Sequence, residues 1–124
     1  MNLSGALFTI AKSPLGEFIV GVAFGRLSKL LPIERVKETD KVIAFRHPKP
    51  YWKWHILIVP KKAIRDLASI TVEDEAYIVA MFLMVQEIVK EKGWNQTDYT
   101  IVTNGGSRQE VPQLHFHLGS GSIL

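Results

Sequence analysis

The sequence predicts an α+β fold: an antiparallel sheet of about five strands, two main helices and an extra N-terminal helical segment. Three observations predict it. The chain has 124 residues, 47% of them hydrophobic and 22% charged, which suits one domain with one adequate core. Short β-branched and apolar runs recur between turn residues, as strands joined by short loops do. One long segment carries apolar residues at helical spacing between a clear start and a clear stop. With no Cys, disulfide frameworks, zinc ribbons and thiol nucleophiles are excluded. A net charge of +3 suits anionic ligands and is too mild for a dedicated DNA binder.

Each element has its own signal. Ser13-Pro14 is a helix entry, because Ser caps free amides and Pro at the next position costs no hydrogen bond. Phe18, Val22, Leu27, Leu30 and Leu31 follow at helical spacing up to Pro32. The apolar stretch from Leu15 to Phe24 is far short of the roughly 20 residues a spanning helix needs. No signal peptide is predicted either, so the expectation is a soluble, cytoplasmic protein without stable membrane association. Glu34 to Glu38 alternates like an exposed strand, Thr39-Asp40 turns, and Lys41 to Phe45 is a short apolar strand.

His47-Pro48-Lys49-Pro50 breaks that strand, since each Pro lacks a donor. Trp54 to Val59 is the strongest strand signal, and Ala63 to Ile70 suits a helical turn. Thr71-Val72-Glu73-Asp74 resembles a capping box opening a helix to about Lys92. Tyr77, Ala80, Met81, Met84, Val85, Ile88 and Val89 share its apolar face, and Gly93 stops it. Asp98 to Thr103 reads as a strand, Asn104 to Arg108 as a Gly-rich loop, and Val111 to Leu118 as the last strand.

That last strand carries chemistry. Gln113, His115 and His117 alternate with Leu114, Phe116 and Leu118, so in an extended strand the polar trio lines one face. Three uses stay open: attack of an imidazole on phosphorus with a second imidazole moving a proton, metal binding with His55 as a third ligand, or binding without turnover. The preceding Asn104-Gly105-Gly106-Ser107 lets backbone amides approach an anion, which favours phosphate. Arg46 to Lys62 adds five basic residues and no acid, a stretch that draws in a negative substrate. Within it Tyr51, Trp52 and Trp54 suit stacking on a base, although Trp54 also suits the core.

The run Gln109-Glu110-Val111-Pro112-Gln113-Leu114-His115-Phe116-His117-Leu118 resembles the motif of the histidine triad (HIT) superfamily, in its Hint-like branch. Phe24-Gly25-Arg26, Pro32, Ala44-Phe45, His55-Ile56-Leu57-Ile58-Val59-Pro60-Lys61-Lys62 and Asn104 fall in the family's order. The resemblance therefore covers residues 24–124 as a HIT-like domain, with residues 1–23 as an apolar, helical extension. It implies a HIT-like fold and a nucleotide hydrolase or transferase that cleaves a nucleoside phosphoramidate or related phosphate conjugate. His115 matches the nucleophile, which forms a covalent nucleotidyl-histidine; His117 matches the third His, acting on the phosphate or leaving group; His55 matches a further active-site His. Asn104, Gly105, Gly106, Ser107 and Gln109 match the phosphate-positioning region. The family usually forms homodimers with continuous sheets, and the branch needs no metal or other cofactor. The implied partner is a small nucleotide substrate, with no nucleic acid.

Three positions depart from the pattern. Gln113 replaces the first triad His and can hydrogen-bond and orient but not transfer a proton. His47 stands where the family carries an acid that holds ribose hydroxyls, and Glu110 where many members have a small hydroxyl residue. The alternative reading is accordingly a nucleotide-binding or interaction module of the same fold with weakened or lost catalysis.

Overall fold

A computed structural model describes residues 13–24 and 33–124. The elements are α1 (Pro14–Ala23), β1 (Arg35–Glu38), β2 (Val42–Arg46), β3 (Trp52–Pro60), α2 (Glu75–Lys92), β4 (Thr100–Val102) and β5 (Phe116–Ile123). The five strands form one sheet in the order β1-β2-β3-β5-β4, and every neighbouring pair is antiparallel. This is the α+β architecture expected from the sequence. Among the described residues no helix is long and apolar enough to cross a membrane.

The sheet carries helices on both faces. Alternation along β2 and β3 sends Val42, Ala44, Ile56 and Ile58 to the α2 side, where they pack with Met81, Met84, Val85 and Ile88. Ile43, Phe45, Leu57 and Val59 take the opposite side and pack with Phe18, Ile19 and Val22 of α1. Burial on both faces explains why β3 reads as a continuous apolar run rather than an alternating one. Met81 and Met84 are core residues, and Phe18 meets Phe45 edge-on with ring centroids 4.9 Å apart.

Local signals act as their chemistry dictates. The Ser13 hydroxyl accepts from Gly16 N–H at 3.0 Å with Pro14 opening the helix. Thr71 N–H donates to the Asp74 carboxylate at 2.9 Å, through a 3-10 turn ahead of α2. Gly93 closes α2 in the left-handed region at φ 72, a conformation that needs no Cβ.

Three boundaries differ from expectation. The first helix ends at Ala23, with Phe24 N–H closing onto Gly21 O, and the rest of its expected span (25–31) lies outside the described residues. β4 is shorter than expected: at Asp98 the backbone carbonyl accepts from Ser120 Oγ at 2.8 Å, outside the ladder, while the carboxylate accepts from Gly121 N–H at 3.2 Å. β5 starts at Phe116 rather than Val111: residues 111–115 bend so that Leu114 N–H donates to Ile64 O, outside the ladder.

Candidate active site

The late start of β5 changes how its polar residues are used. Gln113 does not share a face with the two histidines. It is 2% exposed, its Oε1 accepts from Ile64 N–H at 3.2 Å, and its Nε2 donates to Lys62 O at 2.8 Å. Its side chain thus braces the chain after β3, and it is the backbone carbonyl of Gln113 that meets His115 Nδ1, at 2.7 Å.

His55 and His117 project from β3 and β5 on the α1 side of the sheet. Leu57 pairs with His117 and His55 with Gly119, so the two histidines are diagonal neighbours across the ladder. Their rings meet at His55 Nε2 and His117 Nδ1, 2.8 Å apart. His47 follows β2, its N–H bonded to His55 O at 2.8 Å, and its ring lies 4.4 Å from that of His55 and 6.1 Å from that of His117. The rings of His115 and His117 are 5.0 Å apart. Four imidazoles, His55 and His117 on β3 and β5, His47 just after β2 and His115 just before β5, therefore form one cluster.

Backbone partners dictate the tautomers. An amide N–H only donates and a carbonyl only accepts. Tyr51 N–H reaches His55 Nδ1 at 2.9 Å, so the neutral ring carries its proton on Nε2 and donates to His117 Nδ1. His117 then holds its own proton on Nε2. His115 donates Nδ1–H to Gln113 O, which leaves Nε2 as a bare lone pair. Lys49 N–H reaches His47 Nδ1 at 3.0 Å, placing the His47 proton on Nε2.

Burial holds all four rings below the usual histidine range, so they are neutral at pH 7. Desolvation leads in each case. It takes His55 to about 4 with help from His47, and His117 to about 3 with help from His115, His55 and His47. His47 is lowered by burial and then by His115. His115 is lowered by burial, against the opposing pull of its bond to the Gln113 carbonyl and of the Glu110 carboxylate.

A cavity of about 210 Å³ opens onto this cluster. His47, His115 and His117 line it with Asn104, Arg108, Gln109 and Glu110, and the first turns of α1 close it through Ser13, Gly16 and Ile19. Gln109 Nε2 is tied to Arg65 O at 2.7 Å. Gly105, Gly106 and Ser107 form an exposed turn beside the cavity rather than its wall. Arg108 and the α1 residues were not nominated from the sequence. Arg108 had a usable signal, a cation at the end of the Gly loop; α1 had none.

The basic stretch does not serve the cavity. Arg46 pairs with Glu34 at 3.7 Å, Lys61 with Glu38 at 2.6 Å, and Lys62 with Asp74, and none of its five cations lines the cavity. Trp54 packs on the α2 side against Trp94, between Arg46 and Lys92, while Trp52 lies edge-on to His55 at 4.9 Å. Neither they nor Tyr51 lines the cavity.

His47, His55 and His117 bring one ring nitrogen each within 4.8 Å, the arrangement that a metal would use. The hydrogen bonds count against it. His55 and His47 spend their Nδ1 lone pairs on backbone N–H groups, so the remaining nitrogen of each neutral ring carries a proton, where a metal needs a lone pair.

The HIT domain model matches residues 29–122. A HIT-like protein of Azospirillum brasilense is 35% identical over 97 residues, covering 76% of this chain and 80% of that one. The purine nucleoside phosphoramidase of Escherichia coli is 31% identical over 96 residues, 76% of this chain and 81% of that enzyme. Among solved structures, a histidine triad protein from Clostridium difficile superposes with a TM-score of 0.71 at 34% identity, covering 85% of this chain and 90% of that one. With fold, sequence and histidine cluster in agreement, the chain belongs to the HIT domain family.

Proposed function

We propose that the protein is a nucleotide-binding hydrolase that cleaves a nucleoside phosphoramidate or related nucleotide phosphate conjugate through His115. One observation carries this reading: His115 donates Nδ1–H to the Gln113 carbonyl, which leaves Nε2 as a lone pair on a ring that lines the cavity. Similarity to a purine nucleoside phosphoramidase supports the substrate class. Nε2 attacks phosphorus and the bond to the leaving amine breaks, the amine taking a proton from solvent. The phosphorylated ring is then cationic, and the Gln113 carbonyl stabilises its Nδ1–H. Water attacks the same phosphorus, releases a proton to solvent and frees His115 with its lone pair restored.

His117 acts on the phosphate in this scheme. As a neutral ring holding Nε2–H it donates to a phosphoryl oxygen, where charge builds in the transition state. His55 orients it. Asn104 and Arg108 complete the phosphate-binding wall, Arg108 as the charged donor. Rapid quench of a reaction with an adenosine 5′-phosphoramidate, followed by mass measurement, tests the reading. A nucleotidyl adduct lost in His115→Ala supports it; nucleotide binding with neither adduct nor turnover favours the module that binds without catalysis.

We also infer a homodimer. Phe82, Tyr99 and Ile101 line one groove at the open edge strand β4 and are all more than a third exposed, as are Val79 and Leu83 of α2, apolar surface that a second copy would cover. Sedimentation at micromolar concentration tests this, and a monomer would refute it.

A further inference from the structure

His47 offers the cavity the same kind of atom as His117, a donor Nε2–H, but the proposed reaction leaves it unused. Its Nδ1 is committed to Lys49 N–H, so the neutral ring has only a donor left, Nε2–H. That atom has no protein partner among the described residues. Every wholly buried side-chain nitrogen or oxygen among them is partnered, so His47 Nε2 is open to the cavity its ring lines.

The position of that donor is informative. The His117 ring lies 5.0 Å from that of His115 and 6.1 Å from that of His47, and His115, His117 and His47 all line the one cavity. A phosphorus held at His115 Nε2, with an oxygen on His117, leaves His47 to meet a second polar group of the same substrate. The cavity it lines holds further donors: His117 Nε2–H, the Arg108 guanidinium and the Asn104 amide. Among the described residues the one carboxylate lining the cavity, Glu110, is an exposed residue whose influence falls on His115.

A hydroxyl is both donor and acceptor, and against His47 it uses only its acceptor. A phosphate or carboxylate oxygen is acceptor only, and charge-assisted bonds to it are roughly twice as strong as neutral ones. We propose that His47 makes the site selective for substrates that carry a second anionic group, a phosphate or carboxylate, next to the reacting phosphate, in place of an unmodified vicinal diol. The inference rests on the proposed function and names the substrate class within it.

Two substrates with one leaving amine test this: an adenosine 5′-phosphoramidate, and the same compound bearing a 3′-phosphate. The wild-type protein is expected to favour the 3′-phosphorylated compound by about tenfold in kcat/KM, mainly through KM. His47→Asp, an acceptor at the same place, is expected to reverse the preference. A wild-type preference for the free diol, or an unchanged ratio in His47→Asp, overturns the proposal. If neither compound is turned over and no adduct forms, the proposed function fails by itself. Calorimetric titration with adenosine 5′-monophosphate and adenosine 3′,5′-bisphosphate then decides the selectivity separately: tighter bisphosphate binding that reverses in His47→Asp supports it, and equal binding overturns it.

Discussion

His55 Nε2 lies 2.8 Å from His117 Nδ1 across the β3–β5 ladder, and with Tyr51 N–H on the far side of His55 this contact sets the tautomers of both rings. His117 therefore presents a hydrogen-bond donor to the cavity. His55 does not line that cavity, and in the proposed reaction it acts through His117 as a positioning residue.

Replacing His55 by Ala should lower kcat by roughly ten- to a hundredfold, ~1.4–2.7 kcal/mol of transition-state stabilisation, with KM nearly unchanged. His55→Gln keeps a donor for His117 Nδ1 and should recover part of the loss. Steady-state kinetics of both variants separate orientation from mere packing, because Gln restores the donor but not the ring. Equal losses in the two would show that the donor is immaterial.

The pH profile follows from the neutral cluster. His115 must be unprotonated to attack, and burial holds it below the ordinary histidine value of 6.5, so activity should fall to half its alkaline plateau only below pH 6.5. Stability has the same sign. The unfolded chain binds protons near 6.5, while folded His55 and His117 resist them down to about 4 and about 3. The unfolded state thus gains protons first, and stability should decline as pH falls from 6.5 towards 3. Urea denaturation across that range measures it; a midpoint independent of pH would contradict it.

Gly119 faces Trp52 closely enough that a Cβ built there would sit 2.3 Å from the indole ring. Gly119→Ala should destabilise by about 1–3 kcal/mol through overpacking. Because Trp52 packs on His55, it should also reduce activity. Trimming the indole in Gly119→Ala/Trp52→Ala should cost less than the sum of the single changes, which thermal denaturation of the set will show.

Gln113 is a structural strut through its side chain. Gln113→Ala removes both amide bonds and strands Ile64 N–H and Lys62 O, costing about 2 kcal/mol or more. The His115 bond survives in principle, since it uses the backbone carbonyl. Chemical denaturation should show the loss, and the variant, assayed where it stays folded, should still form the adduct.

Ser13→Ala removes the cap of α1 and should cost about 1 kcal/mol of helix stability. As this turn closes the cavity, the change should appear as a raised KM with kcat maintained. An unaltered KM would detach α1 from substrate binding.

Much of the fold was legible because its signals are local. The Ser13-Pro14 cap, the Thr71–Asp74 turn and the Gly93 stop all act within a few residues, and the α2 stripe from Met81 to Val89 repeats every turn. The boundaries of β4 and β5 were not legible. Each is decided by a contact with a distant segment: Asp98 is diverted to Ser120 and Gly121, and Leu114 to Ile64. The basic stretch misled for a related reason, as its partners Glu34, Glu38 and Asp74 lie outside it in sequence.

By itself the sequence determined the fold class and the family resemblance and singled out the four histidines that the fold brings together, because these rest on residue type, spacing and local propensity. The tertiary structure decided what each histidine can do. An imidazole is donor, acceptor or nucleophile according to which of its nitrogens is engaged, and the engaging atoms come from elsewhere: His55 stands 62 residues from His117 and α1 is the far wall of the cavity. Even where the partner is close in sequence, as with Lys49 for His47, Tyr51 for His55 and Gln113 for His115, only the folded backbone aims its N–H or C=O at the ring.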